Sequence, residues 1–179
     1  MFAKVENNQV VAANSSKDFF KGSTGIYEVI YNTTNLKDTE FYYNGAETFT
    51  FANNQVTASY APATPKKLED TNEVKEDGTP LLDRDGKQVI TKGLKSNHVA
   101  RIKSQAAGLL QTTDWYVIRN AESGVSIPAN VSTYRTAVRT KSNDMEALIN
   151  AVSSVEQLAD LYKYDINTKT RPLGEFPRL

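Results

Sequence analysis

Apolar and polar residues alternate with a period of two through the first third of the chain. In Thr48-Phe49-Thr50-Phe51 the phenylalanines fall on one face and the threonines on the other, as in a half-buried strand. Asn7-Asn8 and Asn53-Asn54 separate strand-like runs, and asparagine tolerates the positive φ of tight hairpin turns. We therefore predict an antiparallel meander sheet with one apolar face. Its strands would be residues 2–6, 9–13, 26–31, 41–43, 48–51 and 55–60, with a further turn at Asn44-Gly45.

Residues 61–95 interrupt this pattern. Pro62 and Pro65 fix φ and remove backbone donors, which predicts an extended linker. The highly charged stretch that follows contains the turn pairs Asp77-Gly78 and Asp85-Gly86, the second of which predicts a short exposed hairpin. Because this stretch is too polar to hold a core alone, we expect a ribbon that orders against another surface or stays mobile.

From residue 96 the apolar period becomes helical. The first helix has one apolar stripe and Ser96 or Asn97 as its cap; the stripe is Val99, Ile102, Ala106, Leu109 and Leu110. Four more helices are predicted: Asp114 to a stop at Gly124, 129–141 after Pro128, 145–152 with an Asn143/Glu146 capping box, and 155–162 with a Ser154/Gln157 box. Two prolines and a glycine near the end predict an extended tail.

These elements predict an α+β protein. Its parts would be an N-terminal antiparallel β meander domain at 1–60, a Pro-containing linker and charged hairpin ribbon at 61–95, a helical hairpin or small bundle at 96–165, and an extended C-terminal tail at 166–179.

Composition narrows the classes of partner. Lys plus Arg equals Asp plus Glu at 21 each, which removes the general electrostatic argument for nucleic acid or an anionic membrane. There is no cysteine, and no apolar run has the length of a membrane span. We expect a soluble protein made in the cytoplasm, with neither nucleic acid nor membrane among its partners.

The sequence offers little that is typical of catalysis. His98 is the only histidine, which excludes a multi-histidine metal site, and we expect it to be solvated or capping at the start of its helix. Asp83-Arg84-Asp85-Gly86 is similar to half of a calcium loop, but Lys92 stands where the bidentate glutamate belongs. Gly22-Ser23-Thr24-Gly25 lacks the lysine of a phosphate-binding loop. We predict no enzymatic activity, no cofactor and no metal.

The candidate interaction residues are Trp115, Tyr116, Arg119, Tyr134, Arg135 and Arg139. Trp115 and Arg119 share a helix face, as do Arg135 and Arg139. In one interpretation Trp115, Ile118 and Tyr134 fill a helical core while the arginines cap helices or pair with Glu122 and Asp114. In the other, these tryptophan, tyrosine and arginine side chains are interface hot spots. Both interpretations can hold for different faces.

The order of several residues resembles the C-terminal portion of tail-fibre assembly and related tail proteins of tailed bacteriophages. Those residues are Leu109-Leu110, Thr113-Asp114-Trp115, Arg119, Glu122, Ile127-Pro128 and Tyr134-Arg135 to Arg139, within 96–141. Met1 to Val5 also looks like the short β segment with which such proteins commonly open. The family's usual ending, a brief tail with proline and tryptophan, is replaced by two helices and Arg171 to Leu179.

The resemblance implies a structural subunit of a phage virion, synthesised in the host cytoplasm, at the tail, baseplate, fibre attachment or neck. Its partners would be other tail or virion proteins in a symmetric multi-subunit assembly. The replaced ending favours a permanent component over the first alternative, a tail-fibre assembly chaperone absent from the finished virion. A second alternative is a receptor- or carbohydrate-binding module that uses Phe41, Tyr42 and Tyr43 as stacking platforms.

Overall fold

The computed structural model describes residues 1–179 and divides them into two compact units, Met1–Pro65 and Lys66–Leu179. The predicted α+β class is confirmed. The first unit contains β1 (Phe2–Glu6), β2 (Gln9–Asn14), a 3₁₀ turn (Lys17–Phe20), β3 (Ile26–Asn32), β4 (Tyr42–Tyr43), β5 (Glu47–Ala52), β6 (Gln55–Tyr60) and β7 (Thr64–Pro65). The second contains β8 (Thr71–Asn72), β9 (Ile90–Thr91), α1 (Leu94–Gln111), α2 (Asp114–Ser123), α3 (Ala129–Ala151) and α4 (Val155–Tyr162).

Two asparagine pairs turn the chain in the β unit, as predicted. Asn7 and Asn8 have φ of 51° and 61°, and Asn53 and Asn54 have φ of 52° and 59°. Two consecutive residues at positive φ form the turn that matches the twist of a two-residue hairpin. These turns connect the antiparallel strands of two hairpins, β1–β2 and β5–β6.

The strand order β2-β1-β3-β6-β5 differs from the predicted meander: β3 pairs with β1 instead of β2, β4 lies outside this sheet, and β3 and β6 run parallel. Parallel neighbours require a long crossover, and residues 33–54 supply it by carrying the chain through β4 and β5 before β6 returns beside β3. The sheet is curled, and its edge strands β2 and β5 contact each other. Small side chains fill the inside of this curl: Ala3, Val29, Val56 and Ala58.

The predicted hairpin turn at Asn44-Gly45 is wrong, because β4 pairs with β7 instead of β5. The Asn44 side chain is engaged in a loop instead: its Oδ1 accepts from the Lys37 N–H, and its Nδ2 donates to the Lys37 carbonyl. A Cβ on Gly45 would lie 2.5 Å from the Ala61 carbonyl oxygen, so this close approach requires glycine. The segment predicted as a linker therefore lies within the β unit as far as Pro65.

The charged ribbon is ordered by a closed ring of backbone hydrogen bonds. Glu73 N donates to the Val89 oxygen (2.9 Å), Val89 N to the Leu81 oxygen (2.8 Å), and Leu81 N to the Glu73 oxygen (2.9 Å). The side-chain amide of Gln88 donates to the same oxygens, of Glu73 at 2.7 Å, Leu81 at 3.2 Å and Val89 at 2.9 Å. This network gives the ribbon an internal order that its polar composition did not predict.

Helix α1 begins at Leu94, before the predicted caps Ser96 and Asn97. Its own N-cap residue is Gly93, which has no side chain to satisfy the first helical N–H groups. A distant segment caps the helix instead: the Leu94 and Lys95 N–H groups donate to the Lys67 and Leu68 carbonyls at 3.0 and 3.1 Å, and Asp70 Oδ1 accepts from the N–H of Gly93 itself at 2.9 Å. A cap of this kind leaves no local sequence pattern.

Helix α3 continues through Asn143, where a capping box had been predicted to start a separate helix. Glu146, the second residue of that box, makes two other contacts. It accepts a hydrogen bond from Ser142 Oγ within α3, and it forms an ion pair with Lys103 of α1. The Ser154/Gln157 box, in contrast, is confirmed: Ser154 Oγ accepts from the Gln157 N–H at 3.2 Å, and α4 begins at the next residue.

His98 is buried, at 4% exposure, although a solvated or capping position had been predicted. Its Nδ1 lies 2.7 Å from both Arg101 Nη2 and Tyr162 Oη. Because arginine can only donate, Nδ1 is an acceptor, and satisfied hydrogen bonding permits the ring to lie inside. His98 stands four residues after Leu94 and four before Ile102, so it falls on the buried stripe of α1.

The C-terminal residues pack instead of extending freely. Leu173 is only 2% exposed, and its N–H donates to the Leu161 carbonyl at 3.0 Å. Phe176 packs against the cluster of Ala106, Tyr134 and Val138, between α1 and α3. The tail is therefore part of the core of the helical unit.

Candidate interaction surface

Helix α2 has no buried residue, although its sequence contains several large apolar side chains. Trp115 is 49% exposed and Ile118 is 56% exposed. At 100° per residue, Ile118, Glu122, Trp115 and Arg119 follow one another around one side of the helix. The interpretation that placed Trp115 and Ile118 in a helical core is therefore wrong, whereas it is right for Tyr134, which is buried.

Trp115, Tyr116 and Arg119 form what we call the aromatic–arginine cluster. The rings of Trp115 and Tyr116 lie with centroids 3.9 Å apart and planes 33° apart. The guanidinium carbon of Arg119 lies 4.6 Å from the Trp115 ring centroid and 5.6 Å from that of Tyr116, within the range of cation–π attraction. The Arg119 Nε is buried and has no hydrogen-bond acceptor. The cluster thus holds a positive charge on two aromatic rings without a counter-ion.

Arg135 fixes the corner at which α2 begins. Its Nη1 donates to the Leu110 carbonyl (2.8 Å) near the end of α1 and to Thr113 Oγ1 (2.7 Å), and it lies 2.8 Å from Asp114 Oδ1. The predicted pairing of an arginine with Asp114 is confirmed here. At the other end, Gly124 closes α2 with φ 71°, as its position predicted.

The structure separates the six predicted interaction residues into three groups. Trp115, Tyr116 and Arg119 lie together in the cluster. Tyr134 and Arg135 are buried at 7% exposure each, so they support the helices from within. Arg139 is exposed on α3, where it lines a shallow cavity of about 320 Å³ beside α1.

A second concave feature runs along α3. This open groove of about 660 Å³ is lined mainly by hydroxyl and small side chains, with charged residues at one end. The lining residues are Ser132, Thr133, Thr136, Ala137, Thr140, Lys141, Asp144, Glu175 and Pro177. Polar contacts with a peptide or small molecule are the chemistry that such a surface can provide.

Phe41, Tyr42 and Tyr43 do not form one exposed platform. Phe41 is 2% exposed and fills the β unit, whereas Tyr43 is 65% exposed. Successive residues of a strand point to opposite faces, which separates Tyr42 from Tyr43. A sugar ring could therefore stack on Tyr43 but not on all three side chains.

Sequence reasoning missed Thr113 as the residue that completes the α1–α2 corner. Thr113 is 1% exposed, and its hydroxyl donates to the Leu110 carbonyl at 2.9 Å while accepting from Arg135. The sequence places a threonine directly before the acidic first residue of a helix, but this pattern normally indicates only an N-cap and not a buried corner residue.

No group of three or more His, Cys, Asp or Glu side chains is placed to hold a metal ion. None of the helices combines the length and apolar character that crossing a bilayer requires. Comparison of the chain with protein-family models, with curated proteins and with solved structures found no match.

Proposed function

We propose that the chain is a non-enzymatic structural subunit of a tailed bacteriophage virion that acts through protein–protein contacts. The observation that carries this proposal is the exposed aromatic–arginine cluster, which lies inside the stretch 96–141 that resembles the helical module of phage tail proteins. Tryptophan, tyrosine and arginine are the residues most enriched in interface hot spots. Its partners are other tail or virion proteins, in a tail, baseplate, fibre-attachment or neck position.

The local geometry supports a contact role for α2. Arg135, buried beneath the helix start, ties α2 to α1 and α3 through Leu110, Thr113 and Asp114. A helix held in this way presents its exposed side chains without a large ordering cost on binding. Trp115 keeps about half of its surface exposed beside Tyr116 and Arg119, and exposed apolar surface of this kind marks a protein contact.

Mass spectrometry of purified virions tests the proposal, using a phage whose genome encodes this chain. We expect the polypeptide in finished particles, in a fixed ratio to known tail subunits. A Trp115→Ala/Arg119→Ala double variant should reduce its incorporation, whereas Arg84→Ala, at an exposed arginine of the ribbon, should not. Absence from finished virions combined with loss of fibres on deletion would favour the chaperone. Normal infectious particles without the gene would refute both roles.

A further inference from the structure

We infer that the aromatic–arginine cluster binds a segment of a partner protein in which a carboxylate is flanked by apolar side chains. This deepens the proposed function, and it rests on that function only in taking α2 as a protein-contact surface. The evidence consists of one uncompensated charge and the apolar side chains that surround it.

The charge is the guanidinium of Arg119. It forms no ion pair, and its buried Nε lacks an acceptor. A buried N–H group without an acceptor is costly, and native proteins leave few of them. A carboxylate is the side-chain group that best matches the planar donor fork of arginine, and it would supply the counter-ion that Arg119 lacks.

The apolar requirement comes from the neighbours of Arg119. Trp115 stacks under the guanidinium one turn earlier, and Ile118 lies further around the same side of the helix, each about half exposed. Covering these side chains removes apolar surface from water and lowers the local dielectric, which strengthens the charge pair. A partner segment with apolar residues next to its acidic residue satisfies both requirements.

The charges of α2 argue against nucleic acid as the ligand. Single-stranded nucleic acids bind where aromatic rings accompany a positively charged groove. Here the cluster offers one arginine, and a single positive charge does not make the positively charged groove that a phosphate backbone follows. A second copy of α2 is also a poor fit, since ten residues span about 15 Å and a stable interface buries about 1,000 Å² or more.

Selection from a library of short random peptides displayed on yeast, with the full chain as bait, tests the inference. We expect enrichment of peptides in which Asp or Glu adjoins Leu, Ile, Val or Phe. Replacing that carboxylate by the amide should weaken binding about tenfold or more. Arg119→Gln should have the same effect, whereas Arg84→Gln, at an exposed arginine of the ribbon, should leave binding unchanged. Circular dichroism of each variant checks that the fold is kept.

A parallel selection uses Arg119→Glu as bait, and its enriched peptides should carry Lys or Arg instead. The inference is overturned if both baits enrich the same peptides, if the peptides lack a carboxylate, or if nothing is enriched. It is also overturned if a labelled single-stranded oligonucleotide binds the chain and loses binding with Arg119→Gln. Carboxylate-selective binding by a chain that is absent from virions would refute the proposed function while leaving the inference standing.

Discussion

At the scale of single residues, Arg135 shows how one buried charge organises the candidate interaction surface. Its side chain is 9% exposed and reaches acceptors on both helices of the α1–α2 corner. Removing one partner of such a network leaves the other polar groups without compensation, which costs more than the bonds contribute on formation. The same residue that appeared from the sequence to be a contact residue therefore positions α2.

Replacing Arg135 by methionine should lower the free energy of unfolding of the helical unit by about 2 kcal/mol. Thr113 would lose a partner, and Asp114 would lose its cation. Urea titration followed by the fluorescence of Trp115, the only tryptophan, measures this unit directly. The matched control is Arg139→Met, one turn further along α3 and exposed, for which we expect a change under about 0.5 kcal/mol. Equal effects of the two substitutions would contradict the role given to Arg135.

Asp70 makes the stability of the helical unit depend on pH. Hydrogen bonds from Lys92, from the Gly93 N–H and from Ser96 lower the pKa of its carboxyl from 3.8 to about 2. Because the folded pKa lies below the unfolded value, the ionised carboxylate stabilises the fold. That contribution is complete above about pH 4 and is lost as the pH falls toward 2.

Asp70→Asn should therefore be less stable than the wild type at pH 7, because the amide cannot pair with Lys92 as a charge. The difference should shrink as the pH falls below 4. Urea titrations of both proteins at a series of pH values, monitored by Trp115 fluorescence, measure it. Asp85→Asn, at the turn of the same ribbon, serves as the control and should not show this pattern. If the difference in free energy of unfolding between the two proteins stayed constant down to pH 2, the charge of Asp70 would not be what stabilises the helix start.

At the scale of elements, the sequence predicted those boundaries that a few adjacent residues determine. Asn53-Asn54 turns a hairpin, Gly124 ends α2 and Ser154 starts α4, each through a bond or φ value within its own neighbourhood. Asn143 failed as a predictor because it lies on a helix whose buried face continues on both sides, from Val138 to Met145. Packing of that face outweighs a cap of about 1 kcal/mol.

The C-terminal tail should contribute to the stability of the helical unit as an element of its core. Leu173→Ala removes a side chain that is 2% exposed, and we expect a loss of about 3 kcal/mol in the free energy of unfolding. Leu179→Ala makes the same chemical change at a position that is 68% exposed and should have little effect. Chemical denaturation monitored by Trp115 fluorescence compares the two. If Leu173→Ala were as mild as Leu179→Ala, the tail would not be packed in solution.

At the scale of the whole molecule, the α+β fold class could be predicted from the sequence, but the pairing of distant strands could not. Alternation and helical periodicity are local, so they distinguish the β unit from the helical unit. The parallel contact between β3 and β6 joins residues such as Val29 and Val56, far apart in the sequence, and no local pattern encodes it. The candidate interaction surface was also predictable only in part. Residue type indicated Trp115 and Arg119, but their exposure depends on how Arg135 orients α2.

Each unit has its own buried residues. The β unit buries Phe20 and Phe41 in addition to the cluster of Ala3, Val29, Val56 and Ala58. The helical unit buries Ile149, Leu158 and Leu173 among others. Chains of about 60 residues bury the smallest share of their surface on folding and are marginally stable. We therefore expect the units to unfold separately, with the β unit first.

A fragment of residues 66–179 should then keep its helices and the urea midpoint that Trp115 fluorescence reports in the full chain. In the intact protein, hydrogen exchange at rising urea should expose the amides of β1, β3 and β6 before those of α3. The two cores would fold as one if the urea midpoint reported by Trp115 fluorescence differed between the fragment and the full chain. The same conclusion would follow if the amides of both units became exposed at one urea concentration. Separate unfolding is the behaviour of two domains that each hold their own core, with few contacts crossing the boundary between them.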